Sequence, residues 1–152
     1  MNPSMQTSVS RIFDGSTSHE SGMQDEFKVL VVSDNLEHRR PINKILEALG
    51  IDFTCCSSVA QTKQVLTLQR PNLIFCEERL PDGGYADILT CSAGISGETV
   101  VLTRTGDWDL YMEATRRGAF DVIRSPWRST DIEMLVIRAI REQKYNFSRI
   151  AG

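Results

Sequence analysis

Short apolar runs alternate with longer amphipathic segments from Phe27 onward, and this alternation constrains the fold more than any other feature of the sequence. Five runs have the length and apolar content of strands: FKVLVVS, IDFTCC, PNLIFCEE, ETVVLTR and FDVIRSP. Each is followed by a segment typical of a helix: NLEHRRPINKILEALG, SSVAQTKQVLTLQR, GYADILTCSAG, DWDLYMEATRRGA and STDIEMLVIRAIREQK. This order predicts an α/β domain in which a doubly wound, five-stranded parallel sheet is flanked by five helices.

The domain organisation follows from length and from a change in composition near residue 26. A chain of 152 residues has room for one sizeable core. Residues 1–25 are rich in Ser, Thr and Gly and carry too little apolar surface to offset the entropy of ordering, so we expect a disordered N-terminal tail there. The single domain is expected over residues 26–146, followed by a short C-terminal tail over 147–152.

Charge and cysteine usage exclude several classes of protein. The net charge of -3 gives no broad basic field, so we expect no direct contact with nucleic acid. The chain shows no secretory signal and no apolar stretch of about 18 residues, which predicts a soluble, cytoplasmic protein without a membrane partner. Cys55, Cys56, Cys76 and Cys91 lack the C-x-x-C spacing of thiolate metal sites, and three of them lie in or beside apolar runs, which favours buried, reduced thiols.

The chemistry is expected at the carboxyl ends of the strands, because ligands of open parallel sheets bind beyond those ends. The polar groups found there are Ser33-Asp34, Glu77-Glu78-Arg79, Thr103-Arg104 and Arg124-Ser125. The third strand reads as buried on both faces, so its last residue, Glu77, is predicted to project into a pocket. Side-chain alternation then predicts that Glu78 turns outward and that Arg79 begins the loop.

Four motifs carry a resemblance to a known family: VLVVSDN, LIFCEERLPDGG, VVLTRTGD and GAFDVIRSPWR, in that order. Together they resemble the receiver domain of bacterial two-component response regulators, which has the CheY-like fold, over roughly residues 27–145. The resemblance implies a phosphorelay role, in which a histidine kinase transfers a phosphoryl group to an aspartate at the end of the third strand. The matching position, four residues before Pro81, is Glu77, so the phosphoacceptor aspartate is replaced.

The resemblance also implies a metal site, and the sequence departs from its pattern. Receivers hold Mg²⁺ with two acidic residues at the end of the first strand, which correspond here to Ser33 and Asp34. A backbone carbonyl two residues after the phosphoacceptor completes the site and maps to Arg79. Since Mg²⁺ prefers carboxylate oxygens, the acidic pocket of Asp34, Ser33, Glu77 and Arg79 is expected to bind Mg²⁺ weakly or not at all, and we expect no other cofactor.

The remaining receiver positions are mixed. Thr103 matches the hydroxyl that hydrogen-bonds the phosphoryl group, so the switch hydroxyl is present. Ser125 stands at the position of the family's lysine, and Val122 stands at that of its switch aromatic. Arg104 is the candidate replacement for the missing positive charge beside Glu77, because alternation turns Arg124 away from the site.

The resemblance places a partner-binding face on the fourth helix, the fifth strand and the fifth helix, at about residues 107–144. The residues expected to contribute are Trp108, Arg116, Arg117, Trp127, Arg138 and Arg141. This region is basic in an otherwise acidic chain, which favours an acidic partner surface. Partial burial in the core is the alternative for both tryptophans. The expected partners are a histidine kinase, another regulator or a second copy of the chain.

Our functional hypothesis is a stand-alone receiver domain that acts as a phosphorylation-independent pseudo-receiver through protein contacts. Glu77 then either mimics the phosphorylated state or is the product of drift. One alternative is a weakly phosphorylatable, Mg²⁺-dependent switch. Another is a small-molecule-binding enzyme on a flavodoxin-like fold, but we expect no enzyme, because no phosphate-binding or nucleophile motif occurs and His19 and His38 look unsuited to catalysis.

Overall fold

The computed structural model describes residues 26–95 and 97–151, with side chains described up to residue 143. The expected N-terminal tail therefore lies outside the described residues. Five strands are present: β1 (Lys28–Val32), β2 (Asp52–Cys56), β3 (Leu73–Glu77), β4 (Glu98–Thr103) and β5 (Asp121–Arg124). They form one parallel sheet in the order β2-β1-β3-β4-β5. The predicted five-stranded, doubly wound sheet is confirmed.

Five helices connect and follow the strands: α1 (Leu36–Ala48), α2 (Val59–Leu66), α3 (Tyr85–Cys91), α4 (Trp108–Arg116) and α5 (Ser129–Ala151). α5 continues through residues 147–151, the segment that the sequence analysis assigned to a short tail. A two-residue antiparallel ribbon, which the sequence analysis did not predict, pairs Arg79–Leu80 with Gly83–Gly84 before α3. Within the described ranges, none of the helices is both long enough and apolar enough to span a membrane.

The core has two layers, one on each face of the sheet. α1 and α5 cover one face through residues that include Ile42, Leu46, Ile132, Leu135 and Val136. α2, α3 and α4 cover the other through residues that include Val59, Ile88, Leu110 and Ala114. Successive strand residues alternate between the layers, which explains why the strands read as continuous apolar runs rather than as alternating ones.

Side-chain caps fix where the site helices begin. Asn35 caps α1, and its Oδ1 accepts the backbone N–H groups of Glu37 at 2.9 Å and His38 at 3.2 Å. Asp107 caps α4 by accepting the N–H of Leu110 at 2.8 Å. Such caps satisfy donors that have no partner inside the helix. Both caps follow strand ends, so they set the position of the first turn of each helix at the carboxyl edge of the sheet.

The thiols are placed as the sequence predicted. Cys55, Cys56 and Cys76 are buried, whereas Cys91 is half-buried. Burial raises the pKa of Cys56 to about 12. Burial also raises the pKa of Cys76 well above its usual value, with the neighbouring Glu77 carboxylate acting in the same direction. These two groups therefore stay protonated at neutral pH.

Candidate functional site

Glu77 lies in a small, nearly buried polar cluster with Ser33 and His38. The β1–β3 register pairs Val32 with Cys76, which places the next residues, Ser33 and Glu77, side by side at the edge of the sheet. The Ser33 hydroxyl donates to Oε2 of Glu77 at 2.8 Å. Nδ1 of His38 donates to the same oxygen at 2.6 Å. The exposed fraction of the side chain is 12% for His38 and 10% for Glu77.

The cluster is held from several sides. The Ser33 hydroxyl, itself fully buried, also accepts the N–H of Asn35 at 3.0 Å, which links it to the cap of α1. His38 lies in the first turn of that helix and packs edge-on against Trp127, with ring centroids 4.9 Å apart. A buried carboxylate needs such donors, because even a neutral polar group loses roughly 2–7 kcal/mol when it leaves water without them, and an ionised group loses more. The Glu77 carboxylate thus finds its donors within the chain.

The structure gives Glu77 a different partner from the one predicted. Arg104 is exposed, and among the ion pairs between described residues it takes part in none. His38 stands beside Glu77 instead, although the sequence analysis had set it aside. The available signal was its position in the first turn after β1, since that turn begins at the same edge of the sheet where β3 ends.

Glu78 alternates away from Glu77, as predicted, but its carboxylate contacts Thr103. The β3–β4 register pairs Glu77 with Leu102, so Glu78 comes beside Thr103. The hydroxyl of Thr103 donates to Oε1 of Glu78 at 2.8 Å. Thr103 is buried and Glu78 is half-buried. Each of the two adjacent carboxylates therefore accepts a hydrogen bond from a different hydroxyl: Glu77 from Ser33, and Glu78 from Thr103.

The residues at this edge do not fit the Mg²⁺ ion that the receiver pattern implies. Oε2 of Glu77 is engaged by two donors, and the side chain of Asp34 is exposed. The described residues contain no group of three or more His, Cys, Asp or Glu side chains that could hold a metal. Arg79 lies in the short ribbon with its side chain exposed. Because Mg²⁺ demands a nearly octahedral set of oxygens, this donor set is a poor match.

Ser125, at the lysine position, contributes its backbone to the edge of the sheet. Its N–H donates to the carbonyl oxygen of Thr103 at 2.8 Å, and its side chain is half-buried. A serine carries no charge, so this position supplies no cation to Glu77. Val122, at the aromatic position, is half-buried and packs against the core layer under α4.

The two tryptophans of the predicted partner face behave differently. Trp127 is half-buried and packs against the core and His38, as the core-packing alternative predicted. Trp108 is 69% exposed at the start of α4. Its ring stacks on that of Tyr111 at a centroid distance of 5.6 Å, and Met112 beside them is also exposed. An exposed aromatic pair of this kind is typical of contact surfaces.

The arginines of that face are partly neutralised within the chain. Arg117 donates to Glu113 at 3.1 Å, one turn earlier on the helix. Arg138 donates to Asp121 at 2.9 Å and lies over the ring of Phe120. Arg116 and Arg141 are exposed. The face is therefore less uniformly basic than the sequence suggested, and its most exposed large apolar side chain is Trp108.

Comparison with known proteins finds similarity to response regulators. Over 116 residues it is 27% identical to response regulator protein PilR of Pseudomonas aeruginosa, covering 75% of this chain and 26% of PilR. The response regulator receiver domain protein of Clostridium thermocellum matches with a TM-score of 0.70 and 25% identity, over 78% of this chain and 98% of that one. The CheY-like receiver domain protein of Methanospirillum hungatei matches with a TM-score of 0.73 and 17% identity, over 80% and 98%. No protein-family model matches the chain.

The chain has the CheY-like receiver fold and is similar to response regulator receiver domains in fold and in sequence. It spans about a quarter of the length of PilR. Glu77, Ser33 and Ser125 stand where the resemblance leads one to expect an aspartate, an acidic residue and a lysine.

Proposed function

We propose that this receiver domain is a protein-interaction module whose working state does not depend on phosphorylation. The observation that carries the proposal is the double engagement of Oε2 of Glu77 by Ser33 and His38 in a nearly buried cluster. Phosphoryl transfer to a carboxylate requires a cation that offsets the incoming charge and an attacking oxygen that is not held by other groups, and Oε2 is held here. Here the carboxylate is held by neutral or histidine donors and the lysine position is Ser125.

The same cluster argues against constitutive mimicry through Glu77. A side chain that imitates a phosphoryl group has to present its charge to the switch hydroxyl, which is Thr103. Instead, the Glu77 carboxylate faces Ser33 and His38, and Thr103 donates to Glu78. Within this proposal, Glu77 is a structural carboxylate that ties β3 to β1 and α1.

The proposed function does not include catalysis. In a nucleophile–base relay, the histidine lies between the hydroxyl and the carboxylate. Here Glu77 lies between Ser33 and His38, since both donate to its Oε2. The Ser33 hydroxyl therefore donates to a carboxylate rather than to a histidine, and it is fully buried.

The surface proposed for the partner is the α4 patch, defined as Trp108, Tyr111 and Met112. These side chains are exposed, and two of them stack on one another. Large, rigid aromatic rings contribute much contact area at a low cost in conformational entropy, which is why they dominate binding surfaces. The histidine kinase, another regulator and a second copy of the chain remain the partner classes proposed for this patch.

The proposal is tested with a small-molecule phosphodonor. Wild-type protein is incubated with Mg²⁺ and acetyl phosphate and examined by intact-protein mass spectrometry. We expect no phosphoryl adduct on the wild type. The matched control is Glu77→Asp/Ser33→Asp/Ser125→Lys, in which the receiver pattern is restored and an adduct is expected at position 77. An adduct on wild-type Glu77 that Glu77→Gln removes would overturn the proposal.

A further inference from the structure

We infer that Glu78 is a positioning residue, which holds the turn between β4 and α4, and with it the α4 patch, through the hydroxyl of Thr103. This inference rests on the proposed function only in taking the α4 patch as the partner surface. The link between Glu78 and the turn stands on the geometry alone.

Thr103 is the centre of the arrangement. Its hydroxyl donates its proton to Glu78 at 2.8 Å. The same oxygen accepts the backbone N–H groups of Thr105 at 3.1 Å and Gly106 at 3.3 Å. A hydroxyl has one proton and two lone pairs, so when its proton goes to Glu78 the lone pairs face the turn, where the Thr105 hydroxyl also lies 3.3 Å from the Thr103 oxygen. The Glu78 carboxylate thereby selects the orientation in which the oxygen faces both amides.

The turn is also confined from the side of β5. Gly106 has φ +58, a left-handed conformation that favours glycine. A Cβ on Gly106 would lie 2.6 Å from Cδ of Arg124, so the stem of that arginine packs directly against the turn. Glu78, through Thr103, and Arg124 thus contact the turn from the two sides of β4. A substitution at either residue is expected to disturb the turn at Thr105 and Gly106.

The α4 patch follows immediately. Asp107, the residue after Gly106, caps α4, and Trp108 is the first residue of that helix. The direction of a helix is set by its first turn, so a displaced turn displaces Trp108 and Tyr111 together. Because Glu78 directly follows β3, the edge of the sheet is joined to the α4 patch through the hydrogen bonds of Thr103 to Glu78 and to the turn, and then through the backbone from Gly106 to Asp107.

The test is amide hydrogen exchange measured by NMR on the wild type, Glu78→Ala, Glu78→Gln, Thr103→Val and Glu78→Ala/Thr103→Val. We expect exchange at Thr105 and Gly106 to be about fivefold to tenfold faster in Glu78→Ala, the factor that corresponds to the net contribution of one hydrogen bond. Glu78→Gln keeps an acceptor oxygen and is expected to exchange like the wild type. The Trp108 indole resonance should move in Glu78→Ala and not in Glu78→Gln.

Two comparisons decide the inference. In the Thr103→Val background, Glu78→Ala should not increase the exchange rates at Thr105 and Gly106 any further, because the hydroxyl through which Glu78 acts is absent. Exchange is expressed relative to the core amide of Val101, so that global destabilisation is removed, and Glu142→Ala controls for the loss of one exposed carboxylate. The inference is overturned if Glu78→Ala stays within twofold of the wild type, or if its effect is as large without the Thr103 hydroxyl. Neither result bears on whether Glu77 is phosphorylated.

Discussion

At the residue scale, the main feature of the site is that two adjacent carboxylates accept hydrogen bonds from different donors. Glu77 accepts hydrogen bonds from Ser33 and His38, whereas Glu78 accepts one from Thr103. Hydrogen bonds to an ionised group contribute more than neutral ones, about 1.5–3 kcal/mol each, and leaving such a group without a donor costs at least as much. The side chains of Glu77 and Thr103 are therefore already engaged within the chain.

The contribution of His38 can be measured by substitution. We expect His38→Ala to lower the free energy of unfolding by about 1–3 kcal/mol, because it removes one of two donors from a nearly buried carboxylate and opens space beside Trp127. His38→Gln retains an amide donor and should lose less. Urea unfolding at neutral pH measures both. Equal stability of His38→Ala and the wild type would show that the His38–Glu77 contact contributes nothing.

Sequence reasoning predicted part of this chemistry. Glu77 was identified because a strand buried on both faces has no other reason to end in an acid. His38 was missed because it is 39 residues away in sequence, and only the cap at Asn35 brings it to the carboxylate. For Glu78, alternation correctly separated its side from that of Glu77, but the β3–β4 register, which the sequence does not reveal, puts Thr103 on that side too.

At the element scale, hydrogen bonds fix the connection between β3 and α3 at a place away from the polar cluster. Asp82, in the turn of the short ribbon, accepts the N–H of Val59 at 2.8 Å and that of Ala60 at 3.0 Å. These are the first two residues of α2, whose donors have no partner inside the helix. One carboxylate therefore joins the loop after β3 to the start of a neighbouring helix.

This contact predicts a pH-dependent stability. The two backbone donors lower the pKa of Asp82 below its usual value. A carboxyl with a lowered folded-state pKa stabilises the fold above its ordinary pKa, and that stability is lost as the pH falls through the lowered value. We therefore expect Asp82→Ala to have a lower free energy of unfolding than the wild type at neutral pH. The difference between the two free energies should become smaller as the pH falls into the acid range.

Urea unfolding of both proteins across the acid range measures that difference. Asp87→Ala is not a neutral control, since Asp87 accepts the N–H of Gly84 in the same ribbon, so exposed Asp109→Ala on α4 is used instead. A difference between Asp82→Ala and the wild type that stays constant with pH would contradict the assignment.

The elements themselves were largely predictable. Each strand and helix was expected from an apolar run or an amphipathic segment, because burial on two faces and burial on one face leave different patterns. The ribbon at Arg79–Leu80 and Gly83–Gly84 was not, since two residues are too few to show any periodicity.

At the scale of the whole molecule, the two core layers protect the thiols unequally. Cys56 and Cys76 are buried and have raised pKa values, so little thiolate exists to react at neutral pH. Cys91 is half-buried, and burial raises its pKa as well. With a thiol reagent such as DTNB, we expect Cys91 to react first in the native protein, and Cys56 and Cys76 only on unfolding.

The thiol prediction has a direct control. Cys91→Ser should remove the first phase of the reaction and leave the slow one unchanged. A rapid native-state reaction that persists in Cys91→Ser would show that one of the core layers opens readily, contrary to the packing described above.

The central proposal concerns the whole domain: a receiver fold in which Glu77 accepts hydrogen bonds from Ser33 and His38, and which we propose does not respond to phosphorylation. The most direct test is an amide NMR spectrum with and without Mg²⁺ and beryllofluoride, a phosphoryl analogue. It is recorded for the wild type and for Glu77→Asp/Ser33→Asp/Ser125→Lys. We predict that only the restored variant shifts, around Asp34, position 77 and Thr103. A shift of the wild type itself, at comparable concentrations of the analogue, would contradict the account and identify a working phosphorylation switch.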